Sequence, residues 1–101
     1  MKIVSWNCRG LGSRKKSEAM RDLIRISNPD ILLIQETIME EEEFLQTSQM
    51  FWKYGEGTVR SARGSSGGIG TVWKKVSFEL VQSLSHTHWI LSILHHKEYG
   101  T

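Results

Sequence analysis

Apolar positions in the first third of the chain change their spacing twice. Ile3, Val4 and Trp6 lie in a short run that stops at Asn7. Met20, Leu23, Ile24 and Ser27 then recur at helical spacing, with Arg21, Asp22 and Arg25 turned away. Ile31 to Ile34 is a second apolar run, and it gives way to Gln35 and Glu36. This pattern predicts strand, helix, strand, and such crossovers are nearly always right-handed with parallel strands. If the two strands are neighbours, Asn7 and Glu36, 29 positions apart in sequence, end at one edge of the sheet. An amide and a carboxylate at the carboxyl edge of a parallel pair can hold a hard metal ion and a phosphate.

The element boundaries follow from local chemistry. Ser13 is a good N-cap, and Gly10 and Gly12 give the backbone a flexible approach to it. Pro29 disfavours helical backbone at Asn28, so the helix should end there. Ile31–Ile34 is apolar on both faces, as in a central strand covered on both sides. Glu40 to Glu43 suit a helix N-terminus, and with Phe44, Leu45 and Ser48 they predict a second helix over 40–49. The acidic run reads as a solvated cap rather than a metal site. Phe51 to Tyr54 should begin another strand, and residues 60–68 read as a basic, small-residue loop. That loop is either plain surface or a contact to a DNA backbone through Arg60 and Arg63.

The remaining third alternates with period two. Gly68 to Trp73 predicts a strand; Phe78–Ser83 and Thr87–His95 predict a hairpin. Trp89, Leu91 and Ile93 fall on one face of it, Ile90, Ser92 and Leu94 on the other. No further layer follows to cover it, so an exposed apolar face is expected. His86 and His88 would share a strand face, a spacing that can ligate metal. With no third ligand in view they read as solvated, like His95 and His96.

Composition narrows the classes. The 101 residues, 39% hydrophobic and 24% charged, make at most one small globular domain. No run approaches the roughly 20 apolar residues of a membrane span. No secretion leader precedes the first strand, so the chain is expected inside the cell, nuclear or cytoplasmic. Cys8 is the single cysteine, which excludes an internal disulfide and reads as buried filler. The net charge of +2 hides an asymmetry: residues 1–25 hold seven Lys and Arg against Glu18 and Asp22. Such an excess is either a solvated helix face or a surface for an anionic partner such as nucleic acid. Arg14, Lys15 and Lys16 sit in the first helical turn, where cations oppose the helix dipole. A phosphate bound at that terminus would reverse the sign of the effect. Neither G-x-x-x-x-G-K nor G-x-G-x-x-G is present, so no nucleotide fingerprint is seen.

Met1-Lys-Ile-Val-Ser-Trp-Asn-Cys-Arg-Gly-Leu-Gly12 resembles the opening of the endonuclease/exonuclease/phosphatase superfamily. It is most similar to the endonuclease domain at the start of plant LINE-type retrotransposon reverse-transcriptase proteins. Residues 28–37, Asn-Pro-Asp-Ile-Leu-Leu-Ile-Gln-Glu-Thr, match that family's second motif, and Ser66 to Lys74 match its strand after a glycine pair. The resemblance implies an α/β fold, the DNase I-like four-layer α/β/β/α sandwich. Residues 1–101 would form roughly its first half, with a mixed sheet and two helices. It implies metal-dependent phosphodiester cleavage, with Mg2+, or alternatively Mn2+, at Glu36 and Asn7. It also implies a DNA partner contacted along Arg9, Arg14, Lys15, Lys16, Arg60 and Arg63.

The family further uses a tyrosine at the end of the next strand, a Gly-Asp-x-Asn stretch and a late Ser-Asp-His that supplies the base. These are not found here, and Tyr99, in a terminal turn, does not take the tyrosine's place. The expectation is a DNA-nicking module that is inactive as this chain alone. The alternative is a non-catalytic nucleic-acid-binding or interaction remnant of a retroelement. A third reading keeps the enzyme class and moves the substrate to phosphoinositides or RNA tails.

Overall fold

The computed structural model describes residues 1–64 and 66–98; Tyr99 lies outside the described residues. In chain order the elements are β1 (Ile3–Asn7), α1 (Arg14–Ser27), β2 (Ile31–Gln35), α2 (Glu41–Phe51), β3 (Gly55–Arg63), β4 (Ser66–Lys74), β5 (Phe78–His86) and β6 (Trp89–His96). Four strands form a mixed sheet in the order β1-β2-β4-β3, and β5-β6 form a separate two-stranded sheet. β1 is parallel to β2, with Ile3 opposite Ile31 and Asn7 opposite Gln35. The other pairs are antiparallel.

α1 starts and stops where its sequence says. The Ser13 hydroxyl accepts the Lys16 backbone N–H at 3.2 Å, satisfying one of the orphan donors of the first turn. Asn28 closes the helix in left-handed conformation, φ 46°, donating its N–H to the Ile24 carbonyl at 2.8 Å. Met20 is fully buried while Arg21, Asp22 and Arg25 are exposed. α2 begins one residue after Glu40, with Glu41, Glu42 and Glu43 at its positive end. Phe44 reaches over β4 at Gly70, where a β-carbon would run into its ring. Leu32 and Ile34 of β2 and Val72 of β4 complete this helix-side core.

Two expectations fail here. Phe51 to Tyr54 begin no strand: Phe51 is the last residue of α2, and buried Phe51 and Trp52 anchor its end. Aromatic residues fit either a strand or a helix end, and burial decides. Nor is the 60–68 stretch a loop. Arg60 to Arg63 belong to β3 and Ser66 to Gly68 to β4, paired as Ala62–Gly67 and Arg63–Ser66. Gly64, at φ 60°, turns the chain. Small residues here serve close strand pairing rather than flexibility.

The other face of the sheet is covered unevenly. Thr71 and Trp73 are buried under the β5–β6 hairpin, and the Thr58 and Ser92 hydroxyls bond at 2.9 Å between the two sheets. Ile31 and Leu33, by contrast, are only half-buried. The prediction that β2 is covered on both sides therefore holds for one side. The hairpin itself is as expected, though longer, with only Thr87 and His88 in its turn. Its outward row of Trp89, Leu91 and Ile93 is 50%, 49% and 44% exposed. Of the expected layers, the chain builds the helices and the mixed sheet and starts a second sheet. Among the described residues, no helix is long and apolar enough to cross a membrane.

Candidate functional site

Strand order decides where the candidate residues meet. β2 lies between β1 and β4, so its carboxyl end has Asn7 on one side and Gly67–Gly68 on the other. The chain after β1 continues alongside the chain after β2. Cys8 N–H donates to the Gln35 carbonyl at 3.1 Å, Gly10 N–H to Glu36 at 2.7 Å and Leu11 N–H to Thr37 at 3.0 Å. From the other side Thr37 N–H donates to Gly68 at 3.1 Å and Ile38 N–H to Gly67 at 2.9 Å. Glu36 to Ile38 are thus held by backbone bonds on both flanks. This explains how Glu36 and Ile38 keep φ values of 54° and 53°. Such backbone is costly for a non-glycine, most of all for a β-branched residue, and persists only where the surroundings over-determine it.

Asn7 and Glu36 are both exposed at this edge, as the strand–helix–strand reading requires. Asn7 shares the open face of β1 with Ile3 and Ser5, and Ser5 bonds Gln35 of β2 through their side chains at 3.1 Å. Beneath them Cys8 is fully buried, its Sγ 3.4 Å from the Gln35 carbonyl. Burial pushes its thiol pKa up, so it is packing and not a nucleophile. Thr37 is also fully buried, and its hydroxyl, with no hydrogen-bond partner among the described residues, packs on the Gly68 α-carbon.

The six basic candidates separate. Arg63 lines a cleft of about 460 Å³ together with Glu36, Gly67, Gly68 and His88. Arg9 follows the β1 edge, exposed and at φ 51°. Arg14 and Lys15 are exposed in the first turn of α1, Arg14 pairing with Glu18 at 3.1 Å. Lys16 is not part of an open basic edge. Its ammonium donates to the Cys8 carbonyl and sits 5.7 Å from the Trp6 ring centre, clamping α1 to the end of β1. Arg60 is half-buried within β3 opposite Ile69, not on a loop.

The histidine reading changes too. His86 ends β5 and His88 sits in the turn, so they do not share a strand face; their rings are 6.2 Å apart and tilted. Among the described residues no three His, Cys, Asp or Glu side chains converge as a ready-made metal cage. A roomier cleft, about 700 Å³, lies at the other end of β2, near Asp30 and Phe78. What the sequence reading missed is the arrival of the β5–β6 turn beside Glu36. No local signal marks it, because only the packing of the second sheet brings it there.

Residues 4–99 match the model of the Endonuclease/Exonuclease/phosphatase family. No curated protein sequence matches the chain at a significant level. Among solved structures, the chain is similar to the AP endonuclease LMAP from Leishmania major, at 22% identity over 76% of this chain and 25% of that one, with a TM-score of 0.62. It is also similar to the human Nocturnin catalytic domain with bound sulfate, at 19% identity over 99% and 45%, with a TM-score of 0.70. A third is the 3′ phosphatase NExo from Neisseria bound to product DNA hairpin, at 18% over 96% and 41%, with a TM-score of 0.71. The chain spans from a quarter to less than half the length of these proteins.

Proposed function

Because the chain belongs to the endonuclease/exonuclease/phosphatase family, we propose that it carries the first part of a metal-dependent phosphodiester hydrolase site acting on DNA. The observation that supports this most is the placement of Asn7 and Glu36 at adjoining strand ends, with the Glu36–Ile38 backbone held from both sides. An exposed carboxylate and an amide are hard oxygen donors, and they fit Mg2+ or Mn2+. Mg2+ typically takes one or two carboxylates and leaves its other positions to water and phosphate oxygens. When bound, such an ion would offset negative charge on the phosphate and the leaving oxygen. Glu36 would hold it, Asn7 would orient it or the phosphate, and Arg63, Arg9, Arg14 and Lys15 would attract the anionic backbone. The family's tyrosine, Gly-Asp-x-Asn and Ser-Asp-His groups have no counterpart in these residues, so the 101-residue chain is proposed to bind without cleaving.

Two measurements test this. Mn2+ added to the labelled protein should broaden amide signals around Asn7 and Glu36–Thr37 selectively, and Glu36→Gln should abolish the effect. Uniform broadening, or broadening unchanged in the variant, would overturn the metal assignment. Supercoiled DNA with Mg2+ should stay intact. Nicking lost in Glu36→Ala would instead mean a complete site, assembled across two copies.

The Trp6-Asn7-Cys8-Arg9-Gly10 opening supports placing the chain nearest the LINE-type retroelement endonucleases. The basic first quarter supports the second reading, a nucleic-acid-binding remnant without metal chemistry. In that case oligonucleotide affinity would fall steeply with salt and be indifferent to Mg2+ and to Glu36.

A further inference from the structure

The cleft on the β4 side of Glu36 is formed by three separate segments. Glu36 comes from the end of β2, Arg63 and Gly67–Gly68 from the β3–β4 hairpin, and Thr87–His88 from the β5–β6 turn. Their chemistry is uneven. One carboxylate lies at the β2 end, while the two hairpin tips bring a guanidinium and an imidazole. Between them Gly67, exposed at φ 78° with open space where a β-carbon would stand, leaves bare backbone, while Gly68 is buried against Thr37. Ser61 and Ser66 also line the cleft, with the Ser61 hydroxyl accepting the Glu41 N–H at 2.9 Å and the Ser66 hydroxyl donating to the Arg63 carbonyl at 3.3 Å. Guanidinium and imidazole N–H groups are donors, and a single carboxylate, Glu36, stands against them in the lining, which leaves donors for a second acceptor-rich partner. A phosphate supplies that partner, and it is small enough for a volume of about 460 Å³.

We propose that His88 and Arg63 bind a phosphate of the nucleic-acid strand in this cleft, making the β5–β6 turn a substrate-contacting lip of the site. The inference rests on the phosphodiesterase reading above and adds to it a residue from the second sheet. The same cleft contains Glu36, so a phosphate held there lies beside the proposed metal position, not over the α1 terminus. The role of His88 is that of an imidazole N–H donor, available in the neutral and the charged ring alike.

The test uses the unmodified chain and a short fluorescein-labelled single-stranded oligodeoxynucleotide, followed by anisotropy at low salt with EDTA present. His88→Ala should weaken binding about tenfold, as for loss of a hydrogen bond to a charged group. His88→Lys should restore most of it, and His95→Ala, at the far end of β6, should leave it unchanged. Glu36→Gln should tighten metal-free binding about threefold, because a carboxylate sharing the cleft repels the phosphate. Binding unchanged in His88→Ala but weakened in Arg14→Ala would overturn the proposal and leave the phosphodiesterase reading standing. No binding by the unmodified chain would overturn it as well, whereas the metal assignment stands or falls separately on the Mn2+ broadening at Glu36.

Discussion

At the scale of single residues, Gly68 and Asp30 carry more than their size indicates. Gly68 stands at φ 91°, and a β-carbon there would collide with the buried Thr37 hydroxyl and approach the Ile38 nitrogen to 3.1 Å. Gly68→Ala should cost about 2–3 kcal/mol, read as a shift in urea midpoint. Gly64→Ala meets nothing within 4 Å and pays only the left-handed backbone term, about 1–2 kcal/mol. The gap between the two isolates the crowding next to Glu36. Asp30 ties three strands together: its carboxylate accepts the Lys2 backbone N–H at 2.7 Å and lies 3.6 Å from the Lys74 ammonium, while its carbonyl accepts the Lys74 N–H. The Lys2 bond, and next the Lys74 charge, hold its carboxyl below the ordinary 3.8. A pKa depressed by folding gives stability that is complete above that ordinary value and lost as pH falls through the lower folded one. Asp30→Asn should therefore lower the melting temperature at neutral pH and flatten its fall below about pH 4. Asn7 and Glu36 were legible as a pair because one rule, the right-handed parallel crossover, places both. His88 was not, because its position depends on where a distant hairpin lies.

At the scale of elements, legibility followed locality. α1 declares itself through Ser13, its apolar stripe and Asn28-Pro29, all within 17 residues. β3 and β4 hid their junction because arginine, serine and glycine favour turns by composition, yet here Gly57 lies so close to the Thr71 carbonyl that a side chain would not fit. Propensity lost to cross-strand geometry. Lys16 shows the same effect in charge. As one of three cations at a helix start it looked like part of a phosphate site, but its ammonium is spent on the Cys8 carbonyl and the Trp6 ring. Trp6 in turn packs on the core, so the cation serves the junction of α1 with β1.

At the scale of the molecule, the helix side is closed and the hairpin side is open. Leu84, cross-strand from Leu91, extends the outward row of Trp89, Leu91 and Ile93, and Val81 protrudes beside it, 62% exposed. An apolar row of this kind, on a sheet that among the described residues has two strands and so two open edges, favours association. Leu91→Lys with Ile93→Lys should raise the concentration at which the protein stays monodisperse in light scattering, with the melting temperature changed little. A clear loss of cooperative melting in that double variant would mean the row is core rather than surface. The row was legible from period two alone; the burial of Trp73 beneath the same hairpin was not, since it depends on which face the second sheet takes.

The hairpin is rooted at one end. Lys97 donates its N–H to the Ser77 carbonyl and its ammonium to the Lys75 carbonyl, Phe78 is buried, and along its length the Thr58 and Ser92 hydroxyls bridge it to the sheet. Mechanically it is a cantilever about 30 Å long, clamped at Ser77 and Lys97 and loaded at His88. A lever of that length would magnify any rotation at its clamp, so substitutions at Ser77 or Lys97 should alter the gap facing Glu36 without touching it.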